Sequence, residues 1–469
     1  MEPRKRMWFY IPMLVIGDQI ALQGSFVLAF LLRFSGAIPE YNFGPYLNLA
    51  PWILGIFIAY AFVYELYSVR VRRWADEFSA IICVVFLTVL SSLGLSYMSG
   101  HFAFPRTVFA IATVLQLLTL SFWRYFIRRW YIRQVGHQRI LVVGTGRSAL
   151  ELAEKLRIHG RGLGKVIGVV VEEVPGNDRT AEIHLEAGAE SQDSGKLPVL
   201  GCWKDIETIV EAQQPDAIML CADLNEETRA DIVCRCVRFE ASILVIPSVY
   251  DILLAKSRLS QFDDTPLCEI QGPVMASKWA PVKRLFDIIC SLVILIVTLP
   301  LMLIVAFAIK IDTPGPVLYQ QKRLTEGGRE FILYKFRTMV QGAEAETGPV
   351  LAQEDDPRIT RVGRLLRATR LDELPQMINV LRGDISLIGP RPERPYFVRQ
   401  HLVEIPGYAH RLQVKSGVTG LAQIAGRYST STENKLLFDL IYARSCSPAL
   451  DVYILLHTLK VMMQRDRAG

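Results

Sequence analysis

The stretch KRLFDIICSLVILIVTLPLMLIVAFAIK, residues 283–310, decides how this chain is arranged. It is long enough to cross a bilayer, which takes about 20 apolar residues in a helix. A crossing here would send everything from residue 311 to residue 469 to the far side of the membrane. Pro300 stands in the middle of the run, where it removes a main-chain hydrogen bond and bends a helix. Basic residues flank both ends, Lys283 and Arg284 before and Lys310 after. A helix that enters, bends at Pro300 and returns to the face it came from fits all three features. Bent backbone is tolerated in lipid when neighbouring groups re-satisfy it. On these residues alone an ordinary fifth spanning helix remains the alternative.

Working outward, four more runs can each span a bilayer, near 8–32, 46–67, 79–98 and 107–126. Arg4, Lys5 and Arg6 precede the first, Arg70, Arg72 and Arg73 separate the second from the third, and Arg124, Arg128, Arg129 and Arg133 close the fourth. The two remaining loops carry little positive charge. The positive-inside rule therefore places the N-terminus and everything after residue 127 in the cytosol. Composition agrees with a membrane protein: 51% of residues are hydrophobic and mean hydropathy is +0.27. A net charge of +6 gathered beside apolar runs points to a lipid surface and not to nucleic acid. The eight cysteines show no metal-ligand spacing and read as reduced thiols of a cytosolic compartment. The first run is too long for a cleavable signal peptide and lacks a small-residue cleavage site. The seven histidines are scattered: His101 and His137 fall near loops, His457 in an apolar helix.

Between the runs lies a soluble α/β pattern. RILVVGTGRSALELAEKLRIHG (139–160) reads as strand, tight turn and helix, and KVIGVVVEE, PDAIMLC and ASILVIP as further strands. DIETIVEAQQ and NEETRADIVCRCVRF are helices between them, an alternation that implies a parallel, Rossmann-like sheet. Gly144 and Gly146 stand in a G-x-G-x-x-A turn, with Glu172 or Glu173 ending the next strand, which has the form of a dinucleotide fingerprint. A short glycine turn alone is also compatible with a regulatory or dimerising domain. The polar segment VPGNDRTAEIHLEAGAESQDSGKLP reads as a mobile loop.

After residue 310 the text carries chemistry. Pro-Gly-Pro at 314–316 is a rigid turn, and Gly327-Gly328 a hairpin signal. The strand FILYKFRTM sets Lys335 and Arg337 on one face, a solvated surface or a phosphate site. In RLDELPQMINVLRGDISLIGPRP (370–392) two carboxylates, Asp372 and Glu373, stand among arginines. Adjacent residues on a helix diverge by about 100°, so they cannot face each other as a glycosidase pair does. One is then suited to attack and the other to hold a metal. Pro375 suits the first turn of a helix that stops at Gly383, which sets the pair at a helix N-terminus where the dipole favours ionised carboxylates. An ionised Asp beside cations is a competent nucleophile towards a phosphorus bound to Mg²⁺. An N-capping Asp with surface ion pairs is the plainer alternative. LDVYILLHTLKVMMQ (450–464) suits either an interfacial helix or a packing helix.

From Lys283 onward the chain resembles the polyprenyl-phosphate hexose-1-phosphate transferases, the bacterial sugar transferases also known as monotopic phosphoglycosyl transferases. The resemblance rests on KRLFD, DTPGPVLYQQKR, YKFRTM, RATRLDELPQMINVLRGDISLIGPRP, SGVTGLAQIAGRY and KLLFDLIYARS, six motifs in order. Two departures stand out, Thr-Leu-Pro at the helix break in place of Ser-Pro, and Thr325 where glycine is common. The resemblance implies a multi-domain membrane protein. Its parts would be a four-helix transmembrane bundle (1–135), an α/β Rossmann-like cytosolic domain (136–275), and an α+β catalytic domain (276–469) whose re-entrant helix, about 284–310, breaks at Pro300. It implies Asp372 as the nucleophile that takes up a sugar phosphate and releases UMP, Glu373 as the holder of Mg²⁺, and Arg367 and Asp439 as further catalytic residues. Arg391, flanked by Pro390 and Pro392, would bind the donor diphosphate, with Arg323, Lys335 and Arg337 assisting. The implied substrates are a UDP-hexose, glucose or galactose, and undecaprenyl phosphate, in the first step of exopolysaccharide or O-antigen synthesis. The implied setting is the bacterial inner membrane, multi-pass, with the catalytic domain on the cytosolic face. Inner-membrane lipid, a second copy of the chain and downstream glycosyltransferases are its expected partners. A membrane-anchored nucleotide-sensing scaffold is the competing reading, but it has no use for the carboxylate pair with Arg391. A sugar-nucleotide epimerase or dehydratase would need a Tyr-x-x-x-Lys that the middle segment lacks.

Overall fold

A computed structural model describes residues 3–68, 74–100, 104–135, 138–159, 164–172, 197–255, 257–262, 265–270, 279–343, 356–426 and 430–464. The expected mobile segment, apart from its last two residues, falls outside them, as do Arg70, Arg72, Arg73, His101, His137 and Glu173. The chain forms two compact units, Met1–Ile246 and Pro247–Gly469.

The first unit begins with helices α1 (Pro3–Arg33), α2 (Glu40–Val63), α3 (Trp74–Met98) and α4 (Arg106–Val135), each long and apolar enough to span a bilayer. α1 and α4 run antiparallel: Tyr10 meets Tyr131, Ser25 meets Thr119, and Arg33 meets Thr107. A Cβ on Gly17 would overlap the ring of Trp123, so glycine is what lets these two helices approach. Arg124 is buried inside the bundle and forks onto Asp18 of α1, with Glu77 of α3 at 3.5 Å and the carbonyl of Leu66 at 2.9 Å. A charge inside a membrane bundle persists only when paired, and this one ties three segments together.

A parallel sheet follows, built from β1 (Arg139–Val143), β2 (Lys165–Val171), β3 (Val199–Cys202), β4 (Ala217–Leu220) and β5 (Ser242–Val245) in the order β3-β2-β1-β4-β5. Helices α5 (Gly146–His159), α6 (Ile206–Gln213) and α7 (Glu226–Cys236) connect the strands. Leu141 and Val143 are buried in one core cluster and Ile140 and Val142 in another, as expected for strands covered on both faces. β3 was not foreseen, because VLGC is four residues long with a glycine inside.

The second unit opens with α8 (Val249–Leu254), started by a capping box between Ser248 and Asp251, and a hairpin of β6 (Arg258–Phe262) and β7 (Thr265–Glu269). The domain boundary expected near 275 thus falls inside this unit. Ile252 packs with Tyr408, Leu436 and Leu440 and draws α8 to the C-terminal part. Next come α9 (Ala280–Asp312) and the antiparallel pair β8 (Leu318–Leu324) and β9 (Glu330–Phe336), with Gly327 and Gly328 at positive φ in the turn. Helices α10 (Arg361–Thr369) and α11 (Gln376–Arg382) lead to β10 (Ser386–Ile388), α12 (Pro395–Glu404) and β11 (Gly417–Thr419). α13 (Leu421–Ala425), α14 (Thr432–Ser445) and α15 (Pro448–Met462) complete the unit. The core gathers Phe331, Leu333, Met377, Val380, Leu387, Tyr442 and Ile454.

α9 is helical from Ala280 to Asp312 with Pro300 inside it, so the expected break at Pro300 does not interrupt the helix; a proline removes one main-chain hydrogen bond and the turns on either side continue. Near its start, Arg284 donates to the carbonyls of Val380 and Leu381, Lys283 pairs with Asp451 at 2.7 Å, and Asp287 accepts from the amide of Leu387. Near its end, Asp312 accepts from the amide of Val362, and Val305 and Ile309 pack on Phe336 and Leu366. Both ends therefore dock on the same α/β unit. Ile296, Val297, Ile304 and Phe307 point outward and are exposed, an apolar row that no part of the described chain covers.

Candidate functional site

α10 ends at Arg370, whose φ of 58° is left-handed, a conformation uncommon for a residue with a Cβ. That turn reverses the chain into one 3-10 turn, Leu371–Glu373, ahead of α11. The carboxylates stand on this turn, directly before the N-terminus of α11, where the residue pattern places them. Such strain in a non-glycine residue accumulates at functional sites.

The two side chains have unequal surroundings. One oxygen of Glu373, Oε1, lies 2.8 Å from Arg391 Nη2, 3.0 Å from Lys335 Nζ and 3.8 Å from Arg370 Nη1. Asp372 Oδ2 lies 3.9 Å from Lys335 Nζ, and among the described residues its Oδ1 is buried without a hydrogen-bond partner. Burial opposes ionisation of Glu373, but Arg391, Lys335 and Arg370 together outweigh it and hold the carboxyl well below the ordinary range. Burial pushes Asp372 up, Lys335 offsets part of that, and the charge of Glu373 adds to the rise. Burial thus opposes the ionisation that the helix N-terminus favours. Two carboxyls pushed apart by their environments mark an assignment of distinct roles. Asp372 is not sealed in, since 11% of its side chain remains exposed beside the charged cluster.

Arg391 is held from both ends. Its guanidinium faces Glu373 and its side chain is 44% exposed, while the main chain around it is held by hydrogen bonds. Four consecutive carbonyls accept from outside the loop: Pro390 from Gly417 N, Arg391 from Arg411 Nη2, Pro392 from Arg323 Nη1, and Glu393 from Leu324 N. Prolines at 390 and 392 remove two donors that would otherwise need partners. A Cβ on Gly389 would overlap the carbonyl of Lys415 and crowd the amide of Gly417, so this approach to β11 requires glycine.

Other expected site residues do not reach the carboxylates. Arg337 lies beyond the end of β9 and turns inward, donating to the carbonyls of Thr313 and Pro314, both at 2.7 Å. It fastens the Pro-Gly-Pro turn after α9, whereas Lys335 meets the carboxylates. Arg323 is spent on Gln321 and the Pro392 carbonyl, and burial together with Arg391 and Arg394 pushes it down to about 10. Arg367 donates to Thr338 Oγ1 at 3.1 Å. Asp439 is buried on α14 and pairs with Arg411 at 2.9 Å, so it meets the carboxylate pair only through Arg411 and Arg391. Sequence reading missed Arg411, a lone arginine in a 3-10 stretch with no periodic signal.

No group of three His, Cys, Asp or Glu side chains is arranged for a metal among the described residues. A cavity of 490 Å³ lies at the β8–β9 turn, lined by Glu326, Gly327, Gly328, Ala409, Leu412 and Gln413, apart from the carboxylates. In the first unit, a Cβ on Gly144 would crowd Cys221 and Ala149, so glycine serves packing there, whereas Gly146 faces open space. Thr145 and Ser148 both donate to the carboxylate of Asp223 beside the start of α5. A nucleotide phosphate at that turn would compete with this negative charge.

Comparison with known proteins gives the family of the chain. The sequence family described as bacterial sugar transferase matches residues 278–465, and one described as CoA-binding domain matches 63–247. UDP-glucose:undecaprenyl-phosphate glucose-1-phosphate transferase of Escherichia coli K12 is 31% identical over 405 residues, 84% of this chain and 83% of the relative. Undecaprenyl-phosphate galactose phosphotransferase of Salmonella typhimurium LT2 is 29% identical over 78% of this chain and 76% of its own length. UDP-N-acetylgalactosamine-undecaprenyl-phosphate N-acetylgalactosaminephosphotransferase of Aeromonas hydrophila is 36% identical over 53% of this chain and 59% of its own length. The chain is a membrane enzyme that belongs to the bacterial sugar transferases, the family of polyprenyl-phosphate hexose-1-phosphate transferases.

Proposed function

We propose that this enzyme transfers hexose-1-phosphate from a UDP-hexose to undecaprenyl phosphate in two displacements on Asp372. A carboxylate oxygen of Asp372 attacks the sugar-bearing phosphorus, the bond from that phosphorus to the bridging oxygen breaks, and UMP leaves with the electron pair. A phosphate oxygen of the lipid then attacks the same phosphorus, and the Asp372 carboxylate departs. The observation that carries this reading is the inequality of the pair: Asp372 keeps an unpartnered oxygen while Glu373 is surrounded by three cations. Phosphoryl transfer depends mainly on positioning and charge neutralisation. Arg391 and Lys335 are the cations set to exchange Glu373 for the donor's diphosphate.

Glu373 offers hard oxygens suited to Mg²⁺, which binds through one or two carboxylates and substrate phosphates. Bound there, it would neutralise phosphate charge. The docking of both ends of α9 on one unit supports a helix that re-enters the membrane face it came from, with the site facing the cytosol at the inner membrane. Glucose and galactose are the hexoses named for the E. coli and Salmonella relatives and the first to test. Purified protein given UDP-hexose and undecaprenyl phosphate should release UMP, and Asp372→Ala should not. Labelled UDP-hexose alone should leave a denaturation-stable adduct on the parent. Equal release by parent and variant would end the assignment.

A further inference from the structure

The Arg391 loop has a clamp that no substrate contact explains. Arg411 is 6% exposed and joins four groups: Nη2 to the carbonyl of Arg391 at 3.0 Å and to Asp439 at 2.9 Å, Nη1 to Glu393 at 3.0 Å and to the hydroxyl of Tyr408. It is thus bound to α14 through Asp439, to its own 3-10 stretch through Tyr408, and to the loop at two points. We propose that Arg411, anchored by Asp439, is the positioning residue that holds the main chain of Arg391 so that its guanidinium meets Glu373 and the donor diphosphate. The planar fork matters here: its nitrogens point in fixed directions to a carbonyl and two carboxylates, which a lysine ammonium cannot reproduce from one atom. This also gives Asp439 a role that does not require it to touch the reacting atoms.

The inference rests on the proposed transfer reaction, and its test separates the two. UMP release is measured with the full chain in detergent, with UDP-hexose and undecaprenyl phosphate, for the parent, Arg391→Ala, Arg411→Gln and the double variant. Arg411→Gln should lower kcat/KM at least thirtyfold in the parent background and less than threefold in the Arg391→Ala background, since the residue it positions is gone. Arg411→Lys should restore less than a tenth of the lost activity. If Arg411→Gln does not fold, Asp439→Asn replaces it in the same cycle, with the same non-additivity expected. Losses that multiply in the two backgrounds, or an Arg411→Gln variant as active as the parent, would overturn the positioning role. A parent that releases no UMP dependent on Asp372 would instead overturn the transfer reading itself.

Discussion

Lys335 stands 3.0 Å from Glu373 and 3.9 Å from Asp372, on side chains that are 20%, 12% and 11% exposed respectively. Lys335→Met removes its charge while retaining a flexible apolar stem. Two unit charges about 4 Å apart at an effective dielectric of ~20 attract by about 4 kcal/mol, and residual contact with water reduces that to roughly 2–4 kcal/mol. Burial already pushes Asp372 up, and Lys335 is the cation that most offsets it. Its loss raises the carboxyl further, so less of it is ionised at neutral pH and more is recovered as the pH increases. With that attraction lost from the transition state, at roughly 1.4 kcal/mol per tenfold, UMP release near pH 7 should fall between about thirtyfold and a thousandfold. Measured from about pH 6 to about pH 9, the variant's deficit should narrow steadily towards the alkaline end. A deficit constant across that range would mean that Lys335 serves only to bind substrate, and no deficit at all would refute the electrostatic argument.

Asp439 is pushed up to about 6, chiefly by burial, with Arg411 opposing and Glu393 adding to the rise; Tyr408 and Lys435 are the other groups facing it. Its raised carboxyl favours the folded state most when protonated, and that contribution is lost as pH rises from about 4 through 6. The ion pair with Arg411 needs the charged form, so activity should rise through pH 6, and Asp439→Asn should lack that limb in a pH–rate profile. Gly389→Ala should lower kcat/KM at least a hundredfold, about 3 kcal/mol of transition-state stabilisation, because the new Cβ displaces the loop from β11. Donor titration and melting curves should show a folded protein. In the bundle, Arg124→Ala leaves Asp18 buried without its partner and should cost about 3–5 kcal/mol, read as a lower midpoint for heat-induced loss of the detergent-solubilised protein.

Much of the architecture was legible along the chain because it depends on local periodicity. Apolar runs of bilayer length became helices, and alternating strand and helix patterns became a parallel sheet. The Gly-Gly turn closed a hairpin, and Gly383 ended α11 at a φ of 86°. The adjacency of Asp372 and Glu373, and Arg391 between prolines, also needed nothing beyond reading. The partners of each charge were not legible in this way. Lys335 and Arg337 looked equivalent on one strand face, yet β9 ends at Phe336, and one side chain meets the carboxylates while the other fastens Thr313 and Pro314. Arg323, expected among the substrate-binding residues, holds the Pro392 carbonyl, a contact no local pattern announces, while Arg411 gave no signal at all. Hydropathy and turn chemistry act over a few residues and are written in the order of the chain. Which guanidinium meets which carboxylate, and which carboxylate oxygen is left without a partner, depends on segments far apart in sequence packing together, and only the folded molecule determines that.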